Sequence, residues 1–398
     1  MNYLVVCTSG KWQLPIIREA NSQGIVCIAV DENPQAEGFK HADYSIVSDL
    51  ADIGFISEEI RKITSEIIGA ISFCSDAGIT LAQTLNHEFN CSSNVRFDAV
   101  KATSKVIQRQ IWAENNLAQP SFEVFSNADE AYSFGITAEK PIVVKPSDSS
   151  GSRGVSILHD SLELKTAIEY AFQYSRTTEI IVEDFMVGNE YTVEVIANEG
   201  IVHVLLITRK VKVSEKTRTV SRELKSVSPL DPLYAKISKL AISAFEALGI
   251  NNGPGHLEMI VDEVIGPVGL VEAAFRGGGF NLADRLVDVT TGFDLTASCL
   301  LPYLGHPIIL GRLGYSPSIL FFYPTQKGKL VKIVGLAEAE EIPGVEIEIL
   351  GTLGGYYEEP TTDGDRLCTI IISASSESEL EDKKSQVEKI FKFIFEEC

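Results

Sequence analysis

Two glutamates, Glu258 and Glu272, lie in "HLEMIVDEVIGPVGLVEAAF", an apolar stretch whose turn signal is Gly266-Pro267 with Gly269 just after. A turn there folds the stretch into a hairpin and brings Glu258 close to opposite Glu272. Alternation puts His256 and Glu258 on one face of the first strand, and Glu272, Ala274 and Arg276 on one face of the second. Opposed carboxylates repel and destabilise such a pair. Solvent could tolerate them, but the intervening residues are apolar, so the surface is expected to be covered. A magnesium ion held by both carboxylates and by phosphate oxygens would compensate the repulsion directly. Arg276 leads into Gly277, Gly278 and Gly279, which let backbone approach a ligand closely.

A second candidate is "VVKPSDSSGSRGVSI", residues 143–157. Its ends are β-branched and strand-like; its middle is small, polar and glycine-bearing, with Lys145 where the first strand stops. It reads either as an ordinary hairpin or as a flap that closes over phosphates, and nothing inside it decides. A lysine, a mobile loop, paired acids and an arginine together form an inventory for phosphoryl transfer, where positioning and charge neutralisation do most of the work.

Several elements must position these groups. "YLVVC", a turn and helix, then "IVCIAVDENP" and a second helix–strand unit predict an N-terminal parallel sheet with helices on its faces. Asp31 ends the second strand, where a dinucleotide fold places its ribose acid. The first turn offers only Ser9 and Gly10, without G-x-G-x-x-G, so Asp31 is read as a loop cap and nicotinamide chemistry is disfavoured. From about residue 96 a long helical pattern runs to Pro120, followed by mixed helices and strands. The segment 208–229 is polar and breaks the apolar periodicity, which predicts a long mobile loop. Its Lys210, Lys212, Lys216, Arg218 and Arg222 are either a solvated run or the cations of a lid. His203 reads as a core histidine. The last part, from about 316, is strand-rich and closes with an amphipathic helix over "ESELEDKKSQVEKIFKFIFEE", its aromatics packed in a core.

The 398 residues suggest two to four domains, and 45% hydrophobic with 22% charged residues is a soluble globular composition. A net charge of −21 argues against nucleic acid or anionic membrane as partner. No apolar segment is long enough to span a bilayer, and the N-terminus reads as a first strand rather than a leader. Seven scattered cysteines without C-x-x-C spacing fit a reduced, cytoplasmic protein.

With these residues in place, the chain resembles the ATP-grasp superfamily, specifically its carboxylate–amine ligases and most closely the L-amino acid ligase group. The resemblance implies an α/β fold, α+β in the grasp. Its parts would be a parallel-sheet pre-ATP-grasp domain (1–96), a two-part grasp (97–185 and 186–315) and a strand-rich C-terminal subdomain (316–398). By the same resemblance Lys105 in "KATSKVIQR" and Lys145 neutralise phosphate charge, and Ser149, Ser150, Gly151 and Gly154 form the covering flap. Glu183 takes the adenine amino group, the backbone of Asp184, Phe185 and Met186 lines the base, and Glu190 binds the ribose. Glu258 and Glu272 hold metal, and Arg276 steadies an acyl phosphate. His256, Gly277 and Gly278 contact or support substrate. Ala274 stands where many relatives have Asn, leaving a second metal one oxygen short.

The activity implied is ATP-dependent joining of a small-molecule carboxylate to an amine, with Mg²⁺ required and Mn²⁺ able to substitute. A homodimer is the implied assembly. Bicarbonate activation, of the carboxylase or carbamoyl type, and a non-catalytic ATP-binding module are the alternatives.

Overall fold

The computed structural model describes residues 1–91, 93–149, 151–213 and 220–396. The N-terminal region is a four-stranded parallel sheet, ordered Tyr44–Val47, Val26–Asp31, Tyr3–Cys7, Gly69–Ile71. The strands Val26–Asp31, Tyr3–Cys7 and Gly69–Ile71 are buried on both faces, while the edge strand Tyr44–Val47 buries only Ile46, and helices Leu14–Ser22, Ile53–Ile63 and Ile79–Glu88 cover the sheet with apolar stripes. Asp31 accepts from the Ser9 and Asn33 backbone N–H groups at 2.6 and 2.8 Å, which makes it the cap of the first turn. A second four-stranded sheet joins Phe122–Phe125, Ile180–Asp184, Ile142–Pro146 and Ser156–Leu158 in that order.

The largest element is an eight-stranded antiparallel sheet, ordered Gly266–Ala274, Gly253–Asp262, Asn189–Asn198, Ile201–Lys212, Ser221–Ser226, Ser318–Pro324, Arg366–Ser373, Val345–Ile349. One face buries Val193, Ile207, Leu257 and Met259 against helix Pro232–Leu248. That helix starts on an Asp231 cap with Pro232 in its first turn and stops at Gly249, whose φ of +80° is left-handed. The opposite face follows from the register. Glu258 pairs with Glu272 on one side and Thr192 on the other, and Thr192 pairs with Thr208. Residues opposite each other share a face and alternation adds the rest. Glu272, Glu258, His256, Glu190, Glu194 and Lys210 therefore stand together.

Three sequence expectations are corrected. In the predicted 208–229 loop, the described residues form the end of strand Ile201–Lys212 and the strand Ser221–Ser226, with Thr208 opposite Ser226 and Lys210 opposite Leu224. Its polarity arises because alternate charges are paired: Lys210 reaches the acids of the site face, while Arg209 meets Glu263 and Lys225 meets Glu381. Lys216 and Arg218 lie outside the described residues. The helix before Pro120 is two helices, Ala99–Thr103 and Lys105–Glu114, because Ser104 is extended and caps the second through Ile107 N–H. The C-terminal helix ends at Ile390, and "KFIFE" forms the strand Lys392–Glu396 against Gly328–Val334, as its period of two favours. Phe391 is fully buried and packs edge-on against Tyr323 and Phe393, so the aromatics serve a core.

Candidate functional site

Glu258 and Glu272 are direct cross-strand partners. The turn that joins their strands lies at 263–265, earlier than Gly266-Pro267, where the Asp262 carboxylate accepts from Val264 and Ile265 N–H. Two register shifts, at Glu258/Met259 and Ile260/Val261, bring the acids opposite each other. Their repulsion is already compensated by lysines. Lys105 Nζ meets Glu272 at 2.6 Å, and Lys210 Nζ meets Glu258 at 2.8 Å. Lys210 also pairs with Glu190, which Lys212 meets at 2.6 Å. Burial alone would raise the Glu272 and Glu190 carboxyls, but these lysines outweigh it and hold both below the usual range. Burial opposes the charge on Lys210, yet Glu190 and Glu258 raise it well above an ordinary lysine.

The second cluster links the small sheet to the helix Lys105–Glu114. Lys145 Nζ donates to Glu183 at 2.6 Å, and Arg109 donates to the same carboxylate at 3.0 and 3.1 Å. All three side chains are buried. Burial pushes Lys145 down to about 8, with Glu183 opposing and Arg109 reinforcing the shift. Both Glu183 oxygens are thus turned toward cations. The Asp184 and Phe185 N–H groups donate to Ser121 and Pro141 carbonyls, and Met186 Sδ fills the space that a Cβ on Gly269 would need. Strands Ile142–Pro146 and Ser156–Leu158 pair as a hairpin, and the loop between them receives Lys105, whose Nζ donates to the Ser149 carbonyl at 2.6 Å. Gly151 and Gly154 both have left-handed φ, at +66° and +77°. Ser150 lies outside the described residues.

Arg276 makes a bidentate pair with Asp76, at 2.8 and 2.7 Å across 200 residues. Burial opposes its charge and Asp76 outweighs it, so the guanidinium titrates above its ordinary value. Gly278 N–H donates to fully buried Glu194, which also pairs with His256 Nδ1. A Cβ on Gly278 would fall 2.8 Å from Glu194 Oε1, so only glycine allows that approach. Gly277 N–H donates to the Phe73 carbonyl. Burial would lower His256, but Glu194 raises it to about 9.

A cavity of about 830 Å³ brings together Lys105, Ser149, Gly151, Glu272 and Arg276, with Arg153, Ala274, Trp12 and Asp76 also lining it. Lys145, Gly154, Glu183, Asp184, Phe185, Met186, Glu190, His256, Glu258, Gly277 and Gly278 lie outside that lining. Glu258 is tied to it through its partner Glu272, and Glu190 to Glu258 through Lys210. Exposed Arg222 pairs with half-buried Glu388, and His203 is only half-buried. The sequence reading missed Asp76, Gln108, Arg109 and Glu194. Arg109 is one helical turn from Lys105, and Glu194 shares strand alternation with Glu190, so both carried a signal. Asp76 carried none. Among the described residues no three His, Cys, Asp or Glu cluster as a ready metal site. The donor set still fits magnesium, which takes one or two carboxylates and completes its shell with phosphate and water oxygens.

Residues 138–284 match the ATP-grasp domain family, described as "ATP-grasp domain". A D-alanine–D-alanine ligase of Pediococcus pentosaceus is 28% identical over 38% of this chain and 43% of its own length. The L-arginine-specific L-amino acid ligase of Bacillus subtilis is 24% identical over 71% of this chain and 70% of its own. The solved L-amino acid ligase of Bacillus licheniformis shares the fold, with a TM-score of 0.83, 20% identity, and coverage of 99% and 98%. The chain spans about half the length of several curated relatives that it matches. No helix among the described residues is long and apolar enough to cross a membrane.

Proposed function

From the premise of an ATP-grasp domain, we propose that this protein is an ATP-dependent carboxylate–amine ligase whose amine substrate is an amino acid. The observation that carries the reading is one cavity lined by Glu272, Lys105, Arg276 and, from the flap, Asp148, Ser149, Gly151 and Arg153, with Glu258 opposite Glu272. Glu272, Lys105 and Arg276 around one cavity, with Glu258 opposite Glu272, suit a triphosphate and a transferring phosphoryl group. The ligase names of the relatives support the same class.

The γ-phosphoryl group of ATP passes to an oxygen of the substrate carboxylate, giving an acyl phosphate and ADP. The amine nitrogen then attacks the acyl carbon. The bond to phosphate breaks, its electron pair leaves with the phosphate, and the nitrogen loses a proton as the amide forms. Glu258 and Glu272 would hold magnesium, which when bound supplies charge neutralisation on the phosphates. Lys105, already between Glu272 and the flap carbonyl of Ser149, orients the flap over the phosphates and adds positive charge. Lys145 sits behind it, held by Glu183. Arg276 faces the acyl phosphate and the oxyanion of the tetrahedral intermediate, and Asp76 fixes its guanidinium plane. The closed flap keeps water from the acyl phosphate. Glu190, with Lys210 and Lys212, forms a charged border where ribose hydroxyls can bind.

ADP release measured against panels of carboxylates and amines tests the reading. Release that needs both substrates and yields an amide supports it. Release that needs bicarbonate instead points to a carboxylase, and tight ATP binding with no release under any pairing points to a binding module; either result overturns it.

A further inference from the structure

The strand Gly266–Ala274 is the outer edge of the eight-stranded sheet, so its outward N–H and C=O groups have no strand to pair with. It is also bulged where Glu272 sits. Glu258 pairs with Glu272 and Met259 with Leu270, leaving Val271 without a partner across the ladder. Bulges re-aim side chains beside active sites, and a bulged edge strand is weakly held in register unless something pins it. The helix Lys105–Glu114 supplies the pins on either side of Glu272. Gln108 Oε1 accepts from Ala273 N–H at 3.0 Å, and Gln108 Nε2 donates to the Ala273 carbonyl at 2.6 Å and to the Lys101 carbonyl at 2.9 Å. Arg109 donates to the Leu270 carbonyl at 2.9 Å. Gln108 is buried and bonds across 165 residues.

We propose that Gln108 is a positioning residue: by bridging both backbone polar groups of Ala273 it fixes the register of the bulged edge strand and holds Glu272 across from Glu258. A side-chain amide suits this because it mimics a peptide group, offering one donor and one acceptor to the strand edge. A slip of one residue would turn Glu272 to the other face and leave Glu258 without its cross-strand carboxylate. The proposal rests on the reading of Glu272 as a magnesium ligand.

The test is calorimetric binding of ADP to the full-length protein across a magnesium titration, with parallel binding in chelator. Gln108→Met keeps length and removes both hydrogen bonds. It is expected to raise the half-saturating magnesium concentration by about tenfold or more while magnesium-free ADP binding stays within about twofold. Gln108→Asn keeps the amide but is one methylene too short to bridge both Ala273 groups, so a shift in the same direction is expected, and this variant decides if Gln108→Met does not fold. Normal magnesium dependence in a folded variant overturns the proposal. So does an equal loss of ADP binding with and without magnesium, which marks a merely structural role. Glu272→Gln separates the two levels. If it too leaves magnesium dependence unchanged, the reading of the metal site fails. If it raises the requirement and the Gln108 variants do not, only the positioning role fails.

Discussion

The four-stranded parallel sheet and the eight-stranded sheet differ most in what they bury. In the first, Val5, Cys7, Ile28, Val30 and Ala70 are fully buried, and no charged side chain among the described residues 1–91 is. In the second, one face buries Glu194, Lys210 and His256 beside the part-buried Glu190, Glu258 and Glu272. Each acid on that face is matched to a basic group, and for Glu190 and Glu272 the lysines hold the carboxyl below its usual range despite desolvation. The difference separates stability from chemistry. The parallel sheet is a platform whose strand ends carry Trp12 and Asp76 to the cavity, as the carboxyl ends of parallel strands often do. The large sheet carries the face of the proposed site, and its Arg276 depends on the platform for Asp76.

Substitutions on the two sheets should therefore fail differently. The largest effect is expected for Glu272→Gln, which removes a carboxylate from the proposed metal site with little change in shape. Turnover should fall more than about a thousandfold, with nucleotide binding in chelator little changed. Steady-state ADP release and equilibrium binding check this, and retained turnover would remove Glu272 from the chemistry. Arg276→Ala comes next, with a loss of about a hundred- to a thousandfold in kcat if the guanidinium faces the oxyanion. An effect confined to KM would make it a binding group.

The contrast is sharpened by Ile28→Ala in the parallel sheet. Ile28 is fully buried, so deletion should cost about 2–5 kcal/mol in denaturant unfolding. The kcat of the folded fraction should stay within about twofold, because Ile28 touches no cavity residue. A large kcat change here would mean that the platform transmits more than position.

What could be read from sequence follows the same division. Continuous apolar runs set between turns and helices made the parallel strands legible, and alternation the hairpin acids, since both patterns survive without tertiary knowledge. The pairing of Glu258 with Glu272 was legible while its cause was not, because two bulges and a turn at 263–265 set the register. The strands flanking 213–220 hid behind Lys and Arg that find their acids on other strands, in the 263–265 turn and on the C-terminal helix. Asp76 and Gln108 act over 200 and 165 residues on groups they do not resemble in sequence, so no local pattern could reveal them. Glu183 was read toward adenine, whereas its oxygens hold Arg109 and Lys145, and this partnership needs three elements brought together.

The smallest expected effect concerns Lys145, and its sign distinguishes binding from stability. Burial depresses its pKa to about 8 from an ordinary 10.5, so the side chain loses its charge as pH rises through about 8. Phosphate favours the charged form. If Lys145 meets phosphate, nucleotide affinity should be flat below that pH and fall by up to about tenfold between pH 8 and 9. The contribution to folding runs the other way. Between about 8 and 10.5 the unfolded chain holds the proton that the folded protein has released, so this group's contribution to stability rises with pH across the window. Lys145→Arg keeps a charge throughout and should flatten both trends. Calorimetric nucleotide binding and denaturant unfolding between pH 6.5 and 9.5 read the two slopes. Affinity and stability falling together with pH would show a general loss of structure, and a pH-independent affinity in the wild type would remove Lys145 from phosphate contact.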